Sequence, residues 1–126
     1  MDMEAAMKRI PPHSAEAEQA VLGAMLMNKD AVMTASEMIS GEDFYQTAYG
    51  ILFDAIVELF HEGKPIDLIT LQEHLKEKDV PPEVSSMEFA RDLLVGTQTS
   101  ANVKYYAEIV RDKAILRRLI RINEDI

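Results

Sequence analysis

The sequence contains no cysteine and no tryptophan, and aromatic residues make up only 6% of it. The first absence excludes disulfides, thiolate nucleophiles and Cys-ligated zinc, and agrees with a reducing compartment. The second, beside eight methionines, points to an adaptable core rather than one built on large rings. No apolar run approaches the ~20 residues of a membrane span. The opening MDMEAAMKRI has no basic segment followed by an apolar one, so it does not read as a secretory signal. A soluble, cytoplasmic protein is expected. Glycine is also sparse. The five glycines, at 23, 41, 50, 63 and 96, fit no G-x-x-x-x-G-K-S/T pattern, so no phosphate-cradling loop can be drawn. H-E-x-x-H, an EF-hand loop and a nucleophile elbow are missing too. Glu58-x-x-His61 has the spacing of carboxylate-bridged di-metal bundles, but such sites need two motifs and further inward glutamates. The other helical histidine, His74, has Leu71 three residues before it. No catalytic, cofactor-binding or metal-binding residue is therefore assigned. A small helical enzyme or metalloprotein stays open as an alternative.

What is present is helical periodicity. A chain of 126 residues, 48% of them apolar, can bury one core. Residues 1–12 read as a flexible tail closed by Pro11-Pro12, which stops any preceding helix. Ser14 is an N-cap, and Glu16 and Glu18 stand in the first turn, where the helix dipole favours anions. Val21, Leu22, Met25 and Leu26 carry that helix to about Met27. Gly23 inside it costs about 1 kcal/mol relative to alanine. It either admits another backbone or is simply tolerated. Asn28 caps a short helix over 31–39, and Ser40-Gly41-Glu42-Asp43 reads as a turn and restart. Phe44, Ala48, Ile51, Leu52, Ala55, Ile56, Leu59 and Phe60 then recur at helical spacing, which predicts the central core helix. Gly50 within it hints at tight packing, and Gly63, one past Glu62, suits a left-handed C-cap. Asp67 caps a helix over 68–78. Ser85 and Glu88 form a capping box for the next helix, which turns Phe89, Ala90, Leu93 and Leu94 inward and ends at Gly96. No period-2 strand appears. The predicted fold is all-α, a compact head of about five short helices (13–100) followed by one long helix (101–126).

That long segment has no Gly or Pro and would run roughly 39 Å as one helix. Val103, Tyr106, Ala107, Val110 and Ala114 form one stripe. Ile109, Leu116 and Ile120 form a second line, and Ile115, Leu119, Ile122 and Ile126 a third. A helix on a single core usually shows one stripe about 100° wide. The half up to Ala114 can dock on the head, and the half from Ile115 onward calls for another neighbour. Charge divides along the same line. Six basic and four acidic residues give 101–126 a charge of +2, so the remainder of this −9 chain carries −11. An acidic head repels phosphate backbones, so little direct nucleic-acid binding is expected of it. A helix-turn-helix reader would need a basic recognition helix, and the short helices are acidic or neutral. The basic run on the arm is compatible with phosphate contact and, more commonly, with a solvated or ion-pairing face.

Four blocks in register carry a family resemblance. They are Pro11-Pro12-His13-Ser14-x-Glu16-Ala17-Glu18-Gln19-Ala20-Val21-Leu22-Gly23, then Glu42-Asp43-Phe44-Tyr45, then Gly63-Lys64-Pro65-Ile66-Asp67-Leu68-Ile69-Thr70-Leu71, and finally Ser100-Ala101-Asn102-Val103-x-Tyr105-Tyr106-Ala107-x-Ile109-Val110-x-x-Lys113-x-x-Leu116-Arg117-Arg118-Leu119-Ile120. Over residues 10 to 126 the chain resembles the N-terminal domain of bacterial replicative DNA helicases of the DnaB type. It departs from the family pattern at Val84-Ser85-Ser86, where a Gly-Gly pair is usual, at Phe89, typically Tyr, and at Tyr49-Gly50. The resemblance implies a non-catalytic collar domain of a ring-shaped hexameric motor. The ATPase domain, with its ATP and magnesium, would lie outside this sequence. It further implies that the long helix is the first limb of a hairpin, that hairpins pair into dimers and three pairs form the collar, and that the collar recruits the primase C-terminal domain. A helicase loader is a further candidate partner. Phe89, Ile120 and Ile126 are the candidates for primase contact, and Val110, Leu116, Leu119 and Ile122 for self-association. Phe89 reads equally well as an inward core aromatic, and Ile126 as a frayed end. The alternative function is a stand-alone helical adaptor that self-associates through its last helix.

Overall fold

A computed structural model describes residues 10–124. Most of the expected tail, and Ile126, lie outside the described residues. Seven α-helices run in order among those described: α1 (Ala15–Met27), α2 (Lys29–Met38), α3 (Thr47–His61), α4 (Leu68–Lys76), α5 (Pro82–Ser85), α6 (Met87–Val95) and α7 (Val103–Glu124). A 3-10 turn over Gly41–Asp43 joins α2 to α3. The all-α head-and-arm architecture follows the sequence pattern.

Local chemistry sets most helix starts. Ser14 Oγ accepts the Ala17 N–H at 3.1 Å, Asn28 Oδ1 that of Asp30 at 2.8 Å, and Asp67 Oδ1 that of Thr70 at 2.7 Å. Each satisfies a donor that a helix N-terminus leaves unpaired. Gly63, at φ 71°, is the one described glycine in the left-handed region, just past the end of α3. Several boundaries depart from expectation: α2 runs Lys29–Met38 rather than 31–39, and three others move as well. The capping box is displaced by one residue, because Ser86 Oγ, not Ser85, accepts the Phe89 N–H at 3.3 Å. Phe89 rather than Glu88 then occupies the third helical position, and the reciprocal carboxylate bond is lost. The cause is α5, a one-turn helix opened by Pro82 that consumes Ser85 and buries Val84. The helix from Leu68 ends at Lys76, two residues early. The central helix begins at Thr47 rather than Phe44. Here the reason is tertiary: Glu18 accepts the N–H groups of Tyr45 (2.9 Å) and Gln46 (3.2 Å). Those two donors are held by a side chain from another helix.

The core gathers on α1 and α3. Val21, Leu22, Leu52, Ile56 and Leu59 have no accessible surface, and the Phe53 ring lies tilted against Phe44 with 5.2 Å between centroids. Around this pair, α4, α5 and α6 close one side, and α7 lies on α1 and α2 at the other. Gly23 resolves in favour of close approach. A Cβ there would lie 1.5 Å from Thr97 Oγ1 and 3.0 Å from the Leu93 carbonyl oxygen, at the end of α6.

Candidate interaction surface

The arm α7 changes environment at Ala114. Val103, Ala107, Val110 and Ala114 are all buried against the head, at 6% exposure or less. Past that point Ile115, Leu116, Leu119, Ile120 and Ile122 are 44–57% exposed. Five large aliphatic side chains within eight residues of one helix make an apolar face that no described residue covers. The structure places the candidates accordingly. Leu116, Leu119, Ile120 and Ile122 lie on this open face. Val110 does not: at 2% exposure it belongs to the head's own core and is unavailable to a second copy, so it leaves the self-association set. Burial there follows from helical spacing, since Val110 continues the stripe of Val103 and Ala107, and Ala114 follows it. Ile126 falls outside the described residues.

Phe89 sits elsewhere. Its half-buried ring packs on the core and stands 5.7 Å from the Tyr49 ring. It also walls an open groove of about 620 Å³ with Tyr49, Tyr106, Glu16 and Asp92. One side of the Phe89 ring thus meets the core and the other faces the groove. Tyr106, on α7, borders the same groove. Ile120 is fourteen residues further along the arm, which at 1.5 Å per residue is about 21 Å. Phe89 and Ile120 therefore do not form one contiguous patch on a single chain.

The basic run is an ion-pairing face over part of its length. Arg117 Nη1 donates to the Pro12 carbonyl at 2.9 Å, and Nη2 donates to the Asp43 carbonyl at 2.6 Å. Arg118 pairs with the Asp43 carboxylate. The Asp43 side chain also accepts the Ser40 N–H at 2.9 Å, which holds the 3-10 turn. The His13 ring stacks on Tyr45 at 4.0 Å, and the Arg117 guanidinium lies 5.7 Å from the Tyr45 ring centre. Sequence reasoning did not single out this junction of His13, Glu18, Asp43, Tyr45 and Arg117. Its signal was there, because all five lie in the blocks that carry the resemblance. Arg121 lines a neighbouring cleft with Glu42 and Asp54. Burial raises the Asp54 carboxyl above its ordinary range, against the lowering effect of the Gly41 N–H it accepts.

The Glu58 of the Glu58-x-x-His61 spacing is engaged by neighbouring side chains. It meets Lys78 Nζ at 2.6 Å, and His74 Nε2 stands 3.5 Å away without a hydrogen bond. The Lys78 hydrogen bond, chiefly, holds the Glu58 carboxyl below its ordinary range. Among the described residues no three His, Asp or Glu side chains converge as metal ligands, and no helix is long and apolar enough to cross a membrane.

Comparison with known proteins agrees with this geometry. The family described as the DnaB-like helicase N-terminal domain matches residues 10–112. The replicative DNA helicase DnaB of Geobacillus stearothermophilus is 43% identical over 114 residues, covering 90% of this chain and 25% of that protein. The replicative DNA helicase DnaC of Bacillus subtilis is 42% identical over 113 residues, again 90% of this chain and 25% of the relative. The chain thus spans about a quarter of the length of the curated relatives it matches. The crystal structure of the N-terminal domain of DnaB helicase from Mycobacterium tuberculosis superposes with a TM-score of 0.87 at 36% identity, covering 92% of this chain and 84% of that one. The N-terminal domain of DnaB from Helicobacter pylori, described together with its interactions with primase, shares the fold at a TM-score of 0.73 and 20% identity, covering 99% and 94%. With more than half its length matched by the family and an arm and head that follow the same fold, this chain belongs to the DnaB-like helicase N-terminal domains.

Proposed function

We propose that this chain is the non-catalytic collar domain of a hexameric replicative DNA helicase, assembling subunits and recruiting primase during DNA replication in the cytoplasm. The observation that carries this reading is the uncovered aliphatic face of α7 from Ile115 to Ile122. Such a face is stabilised only by apolar cover, at about 25 cal/mol per Å² removed from water. A return limb and a second copy are the cover the reading supplies. In it, Leu116, Leu119 and Ile122 pack hairpin against hairpin, and three such dimers make the ring. Phe89, beside Tyr106 in the groove, and Ile120, about 21 Å further along the arm than Tyr106, meet primase from different places, and Ile126 extends that surface. A helicase loader would compete for the same arm. Nucleotide hydrolysis, with ATP and magnesium, belongs to the remaining three quarters of the relatives' length.

The test is a pull-down of this chain with a primase C-terminal domain, in parallel with Ile120→Asp. Capture of the parent, and at least tenfold weaker capture of the variant at an unchanged head melting temperature, supports the assignment. No capture of the parent sinks primase recruitment by this chain. Loss of head stability in the variant places Ile120 in the core instead. Cross-linking separates a collar from a stand-alone adaptor, because a collar joined to its motor yields six-membered rings.

A further inference from the structure

The helix face that buries the arm does not end at Ala114; it changes chemistry. Val103, Ala107, Val110 and Ala114 recur at three- and four-residue steps. Arg117, Arg118 and Arg121 continue those steps on the same side of the helix, where the head presents the 3-10 turn and its acidic neighbours Glu42, Asp43 and Asp54. The contact with the head is apolar for the first three turns and polar afterwards. The last ties between arm and head are therefore those of Arg117 and Arg118. Beyond them Leu119, Ile120 and Ile122 stand open.

Arg117 has the more demanding position. Its two terminal nitrogens reach two different carbonyls, one on the strap over residues 11–13 and one on the 3-10 turn. The turn lies 74 residues and the strap 105 residues from Arg117 in sequence, and one guanidinium joins them to the arm. A planar fork with fixed donor directions can do this, and a lysine ammonium cannot match both at once. The strap is itself seated by His13 on Tyr45, whose N–H Glu18 holds.

We propose that Arg117 and Arg118 are a latch that fixes the direction in which α7 leaves the head, and so positions the open face of Leu116, Leu119, Ile120 and Ile122 for its partner. They act as positioning residues, touching no partner themselves. An arm held only by apolar packing up to Ala114 could pivot there. The arginines make its exit angle single-valued, at the cost of polar ties that Arg118, half-exposed, keeps close to solvent. The functional consequence rests on the reading of that face as an assembly surface, and the test separates the two.

The chain has no cysteine, so Lys29→Cys and Asn123→Cys give two clean, exposed attachment points for spin labels, one on the head and one on the arm. Pulsed dipolar distances should show one narrow distribution in the labelled parent. Arg117→Gln/Arg118→Gln should broaden it at least twofold. Arg117→Lys should broaden it as well, whereas Arg118→Lys, which keeps the ion pair, should not. Distributions of unchanged width in the double variant overturn the latch. If the double variant fails to fold, Arg118→Gln alone decides, since it severs only the half-exposed pair: broadening supports the latch, and parental width overturns it. Sedimentation equilibrium of the same samples should show self-association weakened about tenfold wherever the distribution broadens. A parent that stays monomeric would defeat the assembly reading, while the distance distributions would still decide for or against the latch.

Discussion

At the scale of single residues, the head is most vulnerable where polar or backbone atoms have been brought together out of water. Glu18 is 1% exposed, yet its carboxylate is paired with two N–H groups at the start of α3. Removing a buried partner leaves those donors unsatisfied. Glu18→Ala should therefore cost roughly 2–3 kcal/mol in urea unfolding. Glu18→Gln should cost less, because an amide still offers one acceptor. Gly50 lies where a Cβ would be 2.4 Å from the Gly41 carbonyl oxygen, a backbone atom that cannot rotate away. At Gly23 a Cβ would meet the Thr97 hydroxyl at 1.5 Å, and rotation of that side chain would leave Thr97 Cβ at 2.6 Å and the Leu93 carbonyl oxygen at 3.0 Å in the way. Gly23→Ala and Gly50→Ala should therefore both destabilise the head, within the ~1–3 kcal/mol usual for overpacking. Thermal melts of both variants check this, and an unchanged melt for either would mean that the backbone facing it yields. Glu58 gives the pH dependence. Its folded carboxyl is held below its ordinary range by Lys78, so the unfolded chain binds the proton more readily. The stabilisation is present above the unfolded value and lost as pH falls through the folded one. The melting difference between the parent and Glu58→Gln should be small, since the pair is partly exposed, and should shrink as pH falls below the ordinary carboxylate range. Asp54, raised by burial, works in the opposite direction.

At the scale of elements, what was legible in the sequence was what neighbours along the chain decide. Ser14, Asn28, Asp67 and Gly63 end or begin helices through bonds within four residues, and each does so where its residue type says it should. The boundaries that moved were those decided at a distance or by competition. The start of α3 waits on Glu18, 27 residues upstream of Tyr45. The cap of α6 shifts because Pro82 claims Ser85 for a separate turn. Adjacent serines also offer a pattern search two registers, and only packing of Val84 chooses between them. Ser86→Ala should cost about 1 kcal/mol, as loss of a helix N-cap does. Ser85→Ala should cost only a few tenths, since its hydroxyl merely returns to the Pro82 carbonyl. Chemical denaturation of the two alanine variants tells the registers apart, and equal losses would restore the capping box at Ser85. The same division explains the candidate surface. The exposed stripe of α7 was legible as surplus apolar positions on a helix too polar elsewhere to be buried whole. The Arg117 junction was not, because hydrogen bonds 74 and 105 residues apart leave no local period to read.

At the scale of the whole molecule, head and arm use opposite sources of cohesion, which makes them separable by experiment. The arm's first half is part of the core: Val110, 2% exposed, is enclosed by the head cluster. Its second half presents Leu119 at 52% exposure, enclosed by nothing among the described residues. Val110→Ala should therefore lower head stability by about 2 kcal/mol through the lost methyls and the cavity they leave. Where self-association is measured on the folded protein, it should be unaltered. Leu119→Asp should do the reverse, leaving the melt within a degree or two and, if this face pairs as proposed, weakening self-association at least tenfold, because it puts a charge on an apolar surface. Salt provides the third arm. An apolar contact is not screened, so raising NaCl from 0.05 to 1 M should leave the dimer as tight or tighter. A contact made through Lys113, Arg121 and a polyanion would instead dissociate steeply over the same range. Sedimentation equilibrium of the two variants and the parent at both salt concentrations distinguishes these cases. Association that survives Leu119→Asp but collapses in salt would place the interface on the basic stripe. The latch arginines would then be competing for the partner rather than aiming the arm at it.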